Sequence, residues 1–180
     1  MSANFGVERH RRRGAIAARL LDAAPDAAAA LDWDALDRGP AWLAVPDTEL
    51  ALEQRRIGAV LHTAAIRLLI DRRKLAAART AVGDAFLRAL LADSAAPEVA
   101  RQATIGVDRV SDVAEWLRQA GAAVQAAAIC DGPLGHAAAI ALCGRADGAL
   151  QMPAEAARGL VEHARRIGAT LATAPPEPAQ

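Results

Sequence analysis

The segment from Leu50 to Leu91, above all its centre at Arg55 to Ile70, carries the apolar pattern that most constrains the fold of this chain. Its main apolar residues follow the i, i+3, i+4, i+7, i+11 spacing of one helix face and are Ile57, Val60, Leu61, Ala64 and Leu68. Three further residues widen this stripe: Ile66, Leu69 and Ile70. The polar edge that remains is narrow and consists of Glu53, Arg56, Thr63, Arg67 and Asp71. A helix that is apolar on most sides is surrounded by other elements. The pattern therefore predicts a central buried helix with the rest of the chain packed around it.

The composition agrees with an all-α fold. Hydrophobic residues make up 53% of the 180 residues but aromatic residues only 3%, so alanine carries much of the apolar total. Alanine is the best helix former and a poor core filler. We therefore predict a single compact helical domain at 25–172, packed through small side chains. A basic, partly flexible segment at 1–24 precedes it, and a disordered, proline-rich tail at 173–180 follows.

Residues that cap, start or break helices predict the remaining elements. Asp47 or Thr48 would cap the central helix, a second helix would run from Leu75 to Ala92, and Asp108 or Ser111 would cap a later one. Residues 105–107 are the one place for a short extended segment. Residues 134–142 could be a buried helix or a strand, and their alanine content favours the helix. Pro153 would start the last helix. Four large apolar residues are expected to close one end of the core: Trp33, Leu36, Trp42 and Leu43.

The centre of the first segment resembles a known family. The sequence Arg-Ile-Gly-x-Val-Leu-His-x-x-Ala-Ile-Arg at Arg56 to Arg67 is similar to the signature of the SctK/YscK family of bacterial type III secretion systems. In that family a break and a Leu-rich helix follow, and here residues 71–73 and Leu75 to Leu91 could fill those places. Shorter likenesses are Leu31-Asp32-Trp33, Ala41-Trp42-Leu43 and Glu115-Trp116-Leu117.

This resemblance implies a non-enzymatic adaptor in the cytoplasmic sorting platform of the injectisome. Such a protein would link the SctD inner-membrane ring, through its cytoplasmic domain, to the SctQ pods, and indirectly to SctL and the SctN ATPase. It would be cytoplasmic and would lie at the cytoplasmic face of the inner membrane when assembled. It would bind no nucleic acid and would not insert into the membrane.

The charge and the cysteine content fit this expectation. Lys plus Arg and Asp plus Glu are 21 each, so the formal net charge is zero, whereas nucleic-acid-binding domains usually have a basic excess. The basic cluster at Arg9 to Arg13 nevertheless supports an alternative, a helical regulator that binds nucleic-acid phosphates through these arginines. Two cysteines fit a reducing compartment, and neither a signal sequence nor a membrane span is expected.

Little in the sequence indicates catalysis. The best constellation is Cys130, His136 and Cys143, but these residues lack the close pairs of a zinc site. A small metal or thiol enzyme built on them is a third hypothesis. His62 lies among apolar neighbours, which favours a core role. No phosphate-binding glycine motif is present. We therefore expect no enzyme, cofactor or metal.

Five residues are candidates for a protein interface because their large or forked side chains have no evident core role. They are Arg67, Arg72, Arg73, Lys74 and Trp116. The four basic residues would also complement the C-terminus of the central helix, which would explain them structurally.

Overall fold

The computed structural model describes residues 3–94, 97, 110–129, 132–144 and 150–173. Every regular element in these ranges is helical, so the predicted all-α class is confirmed. The α-helices are α1 (Ala3–Ala23), α2 (Pro25–Ala28), α3 (Trp33–Arg38), α4 (Asp47–Leu61), α5 (Thr63–Arg67), α6 (Arg72–Val82), α7 (Asp84–Ala92), α8 (Val113–Ala128), α9 (Pro133–Cys143) and α10 (Ala154–Thr173), with a 3-10 helix at Ala41–Ala44. The predictions for residues 105–107, Asp108, Cys130 and the tail from 174 lie outside the described residues.

The chain divides into two units, each formed by two separate stretches of sequence. Unit 1 comprises Met1–Ala51 and Ala122–Ala157, and unit 2 comprises Leu52–Gly121 and Arg158–Gln180. The predicted bounds of the N-terminal segment, the helical domain and the tail stay a prediction.

Unit 1 is built on α1, which packs against α2, α3, the 3-10 helix and α9. Ile16 and Leu20 of α1 are fully buried, and Leu36, Trp42 and Leu43 are buried as predicted. Trp33 is instead 59% exposed, so its predicted core position is wrong. The reason is that α3 has only six residues and buries only Leu36. The 134–142 segment is the helix α9, with Gly132 and Pro133 at its start.

Unit 2 contains an unusually close crossing of α4 and α8. An ideal Cβ atom placed on Gly58 would lie 2.0 Å from the carbonyl oxygen of Leu117. One placed on Gly121 would lie 1.8 Å from the carbonyl oxygen of Gln54. Both contacts are to backbone atoms, which cannot rotate away as a flexible side chain can. Only glycine fits at these two positions, so the two helix backbones meet directly.

The predicted central helix is correct in its buried face and wrong in its length. Ile57, Val60 and Leu61 are buried, but α4 ends at Leu61 and the chain resumes as the short helix α5. The hydroxyl of Thr63 donates to the carbonyl oxygens of Ala59 (3.1 Å) and Val60 (2.8 Å), a contact that bends helices.

The helix periodicity therefore fails beyond α5. Leu68 is 73% exposed and Ile70 is 95% exposed, although the sequence pattern assigned both to the core. The amides of Leu68 and Leu69 donate to the carbonyls of Ala65 and Ile66, three residues earlier, which closes α5 with a tightened last turn.

Four further predicted boundaries are corrected or refined. The helix expected from Leu75 to Ala92 is divided at Gly83, whose φ of +91° is strained for residues with a Cβ atom. The start of α8 is capped by Asp112, which accepts from the amide of Glu115 at 3.0 Å, rather than by Ser111. The central helix starts at Asp47, directly after Pro46, so neither Asp47 nor Thr48 precedes it as a cap. The last helix starts at Ala154, next to the predicted Pro153.

The crossing predicts a large cost for any side chain at its two glycines. Gly58→Ala and Gly121→Ala should each lower the free energy of unfolding by at least about 2 kcal/mol, because the helix backbones must separate. Gly159→Ala is the matched control: Gly159 is in α10 of the same unit, and a Cβ atom there meets nothing within 4 Å. It should be neutral or stabilise by about 0.5–1 kcal/mol. Urea unfolding followed by circular dichroism measures all three, and equal effects at the three sites would contradict the crossing.

Candidate protein interface

The residues that resemble the family signature mainly pack unit 2 together. Arg56 donates from Nε to the carbonyl oxygen of Val82 at 3.2 Å, and its guanidinium carbon lies 5.0 Å from the ring centre of Phe86. Val82 is the last residue of α6, where a cation is favoured by the helix dipole. Arg56 therefore fastens α4 to the junction of α6 and α7.

His62 and Trp116 form a second contact across this packing. His62 is 2% exposed, as expected of a core residue, and its ring stacks on that of Trp116 with centroids 4.2 Å apart and planes 23° apart. Trp116 is half-buried. The interface candidate Trp116 therefore has a packing role that its sequence position did not reveal.

The sequence neighbours of Trp116 in α8, Glu115 and Leu117, also have roles within the fold. Glu115 accepts from Nε (2.7 Å) and Nη2 (2.6 Å) of Arg118 and from Nε2 of Gln119 (3.0 Å), and Leu117 is fully buried. The hydrogen bond from Arg118, helped by that from Gln119, lowers the pKa of Glu115 to about 2 against the opposing effect of partial burial. Glu115 is thus hydrogen-bonded on the helix surface, Trp116 stacks on His62, and Leu117 lies in the core.

Arg67 holds the end of α5 against the end of α7. Its Nη2 donates to the carbonyl oxygens of Leu91 (3.1 Å) and Asp93 (2.9 Å). These carbonyls lie at the C-terminus of α7, so the positive charge of Arg67 complements the helix dipole there. Arg67 remains exposed and keeps its charge at the surface.

The sequence analysis placed Arg72, Arg73 and Lys74 at a helix C-terminus, but the structure places them at a helix N-terminus. They form the first turn of α6, and Asp71 caps that helix by accepting from the amides of Arg73 (2.8 Å) and Lys74 (3.4 Å). Cations at a helix N-terminus are disfavoured by about 0.3–1 kcal/mol each. The helix dipole therefore gives no structural reason for these three charges.

These residues and the exposed apolar side chains form one surface, which we call the basic corner (residues 67–74). It joins α5 to α6, and α7 packs against both of these helices. Its exposed residues are Arg67, Leu68, Ile70, Asp71, Arg72 and Arg73. Sequence reasoning missed Leu68 and Ile70 because it counted them as core. The available signal was Asp71, a capping residue type that required the preceding helix to end before it.

A small polar cluster lies next to the end of α7. Nη2 of Arg166 is 2.8 Å from Nδ1 of His163, and because a guanidinium only donates, Nδ1 accepts. The proton of the neutral imidazole is then on Nε2, which is 3.3 Å from Oδ2 of Asp93. Burial, followed by the positive charge of Arg166, lowers the pKa of His163, while the Asp93 carboxylate opposes the shift.

The arginines of the alternative hypothesis are largely engaged inside unit 1. The guanidinium groups of Arg9 and Arg13 both pair with the carboxylate of Asp37. Arg12 donates to the carbonyl oxygens of Asp37 (2.6 Å) and Gly39 (3.2 Å). The helix that carries them is α1, which runs from Ala3 to Ala23. These contacts give no support to a phosphate-binding arm.

The proposed metal or thiol constellation is not assembled by α9. His136 is exposed and Cys143 is half-buried at the end of the helix. Their separation of seven residues corresponds to about 10 Å along the axis, too far for one metal ion. Within the described ranges, no group of three or more His, Cys, Asp or Glu side chains could hold a metal ion. None of the helices that the structure describes has the length and hydropathy to span a membrane.

Comparisons with known proteins add no constraint to this site. No family model matches the chain, and no curated protein or solved structure matches it. The contacts above and the sequence resemblance therefore carry the functional argument.

The His62–Trp116 stack predicts that Trp116 acts in stability. Trp116→Ala should lower the free energy of unfolding by about 2 kcal/mol, because it removes buried ring surface and the aromatic contact. Trp33→Ala is the control, since Trp33 is 59% exposed and its ring contacts the guanidinium carbon of Arg13 at 5.9 Å, and it should change stability by less than about 1 kcal/mol. Thermal unfolding by calorimetry compares the two. A Trp116 variant as stable as the Trp33 variant would return Trp116 to the list of interface residues.

The His163 cluster predicts a pH dependence of stability. Because the folded state lowers the pKa of His163, the unfolded chain binds more protons at mildly acidic pH. Stability should therefore fall as the pH drops below about 6.5, the ordinary histidine pKa. His163→Gln should flatten this part of the profile, whereas His10→Gln, at an exposed histidine, should not. Urea unfolding between about pH 8 and pH 5 tests this, and an unchanged slope in the His163 variant would refute it.

Proposed function

We propose that this chain is a non-enzymatic cytoplasmic adaptor of a bacterial type III secretion injectisome, of the SctK/YscK kind. In this role it links the cytoplasmic domain of the SctD inner-membrane ring to the SctQ pods, and through them to SctL and the SctN ATPase. It lies at the cytoplasmic face of the inner membrane when assembled, and it uses neither cofactor nor nucleic acid.

One observation supports this proposal above the others. The segment Arg56 to Arg67, which resembles the family signature, packs unit 2 and ends directly at an exposed surface. There Leu68 and Ile70 are 73% and 95% exposed, and Arg72 and Arg73 follow in the next turn. Exposed apolar side chains beside charged ones are typical of a surface that another protein covers.

The chemistry of the described residues agrees with a role in binding. The signature contains three side chains that could take part in binding or catalysis: Arg56, His62 and Arg67. Each of them instead makes a packing contact within unit 2. The signature thus provides a framework, and the surface at its end provides the contact.

The proposal predicts that the chain bridges two proteins that do not associate without it. The cytoplasmic domain of the SctD homologue and the SctQ homologue, from the same organism, are mixed with and without the full chain. Size-exclusion chromatography with light scattering should detect a complex of all three components only when the chain is present. The two partners mixed alone are the control.

The contrary results are equally clear. A helical, cooperatively unfolding chain that elutes apart from both partners would refute the adaptor role. Binding to only one partner would retain a place in the secretion system and refute the bridge.

A further inference from the structure

The charges of the basic corner are strongly unbalanced. Residues 67–74 contain four cations, and Asp71 is their only carboxylate. Asp71 is committed to the amides at the start of α6. Among the described residues, the side chains of Arg72 and Arg73 form no ion pair, and both are exposed. The corner is therefore a positively charged surface on a chain whose formal net charge is zero.

The charges of Arg72 and Arg73 serve neither the helix that carries them nor the core. Arg72 and Arg73 stand at the end of α6 where the helix dipole disfavours cations. Arg67 differs, because its contacts with the carbonyls of Leu91 and Asp93 explain its position. A partner with negative charge would compensate the cost of the two misplaced arginines.

The apolar part of the corner argues against a simple anion as its ligand. Ile70 is almost fully exposed and Leu68 is nearly as accessible, and these are two of the five large hydrophobic residues that are exposed in the described part of the chain. A phosphate or a free carboxylate would leave both in water. A segment with apolar side chains would bury them.

The corner is also held in place before any partner arrives. Arg67, the first residue of the corner, is hydrogen-bonded to the end of α7, and Asp71 caps the first turn of α6. Because α7 packs against both flanking helices, binding would not have to order this loop.

We infer that the basic corner docks an acidic amphipathic helix of a partner protein. Its carboxylates pair with Arg72 and Arg73, and its apolar face covers Leu68 and Ile70. This inference rests on the proposed function only in taking the chain to be a binding protein. The chemistry of the partner follows from the corner itself.

The test uses a probe that comes from no secretion system, so that its result is independent of the adaptor proposal. The probe is a fluorescein-labelled peptide of about five helical turns, composed of Leu, Glu and Ala with the leucines on one face. Fluorescence anisotropy follows its binding to the full chain. A peptide with Lys in place of Glu is the charge control.

We expect saturable binding of the acidic peptide that weakens several-fold between about 50 and 300 mM salt. Ile70→Ser should weaken it about tenfold, while Leu21→Ser, at an exposed leucine of unit 1, should not. The double variant Arg72→Glu and Arg73→Glu should lose the acidic peptide and gain the lysine peptide. Arg11→Glu with Arg38→Glu, two exposed arginines of unit 1, should leave both affinities unchanged.

Three results would overturn the inference. The first is no binding of the acidic peptide, and the second is equal binding by the corner variants and their controls. The third is sedimentation with phosphatidylserine vesicles that depends on Ile70 in the absence of peptide binding, which would make the corner a membrane contact. If the peptide binds as expected but the SctD and SctQ homologues do not, the adaptor proposal fails and the docking surface stands.

Discussion

The direct contact of two helix backbones is the constraint on which unit 2 depends. Gly58 faces the carbonyl of Leu117, and Gly121 faces the carbonyl of Gln54, at distances that admit no side chain. A crossing this close fixes which residues of α4 lie opposite which residues of α8. It is consistent with the stacking of His62 on Trp116. His62 lies four residues after Gly58, just beyond the end of α4, and Trp116 lies five residues before Gly121 in α8. The two glycines thus let these helices pack more closely than any residue with a Cβ atom would allow.

The basic corner lies where this packing stops. The back-bonding hydroxyl of Thr63 and the tightened end of α5 turn the chain out of the core, so Leu68 and Ile70 emerge into solvent. Arg67 then ties the emerging chain to α7. The segment Arg56 to Arg67, which carries the resemblance, is therefore mainly packed, and an exposed stretch at residues 68–73 follows it. Within that exposed stretch, the helix dipole gives no reason for the positions of Arg72 and Arg73.

The sequence predicted the parts of this account that depend on local pattern. Periodicity placed Ile57, Val60 and Leu61 in the core, and alanine content favoured the helix at 134–142. Periodicity alone did not place the end of α5, because an apolar run gives the same signal whether a helix continues or stops, and the capping residue type at Asp71 was the signal that could have placed it. Nor could it reveal that Gly58 and Gly121 meet another backbone, since the approach depends on the partner helix. The basic residues were predicted as interface candidates, but their location at a helix start required the structure.

The central claim is that the packed helices of unit 2 present a preformed docking corner at residues 67–74, and amide hydrogen exchange tests it most directly. In the free chain, amides of α4 and α8 near Gly58 and Gly121 should exchange only through global unfolding, while those of Ile70 and Asp71 exchange fast. An excess of the SctD cytoplasmic domain or of SctQ should slow exchange at residues 68–74 and leave the crossing unchanged. Fast exchange at the crossing, or protection by the partner only outside the corner, would contradict the account.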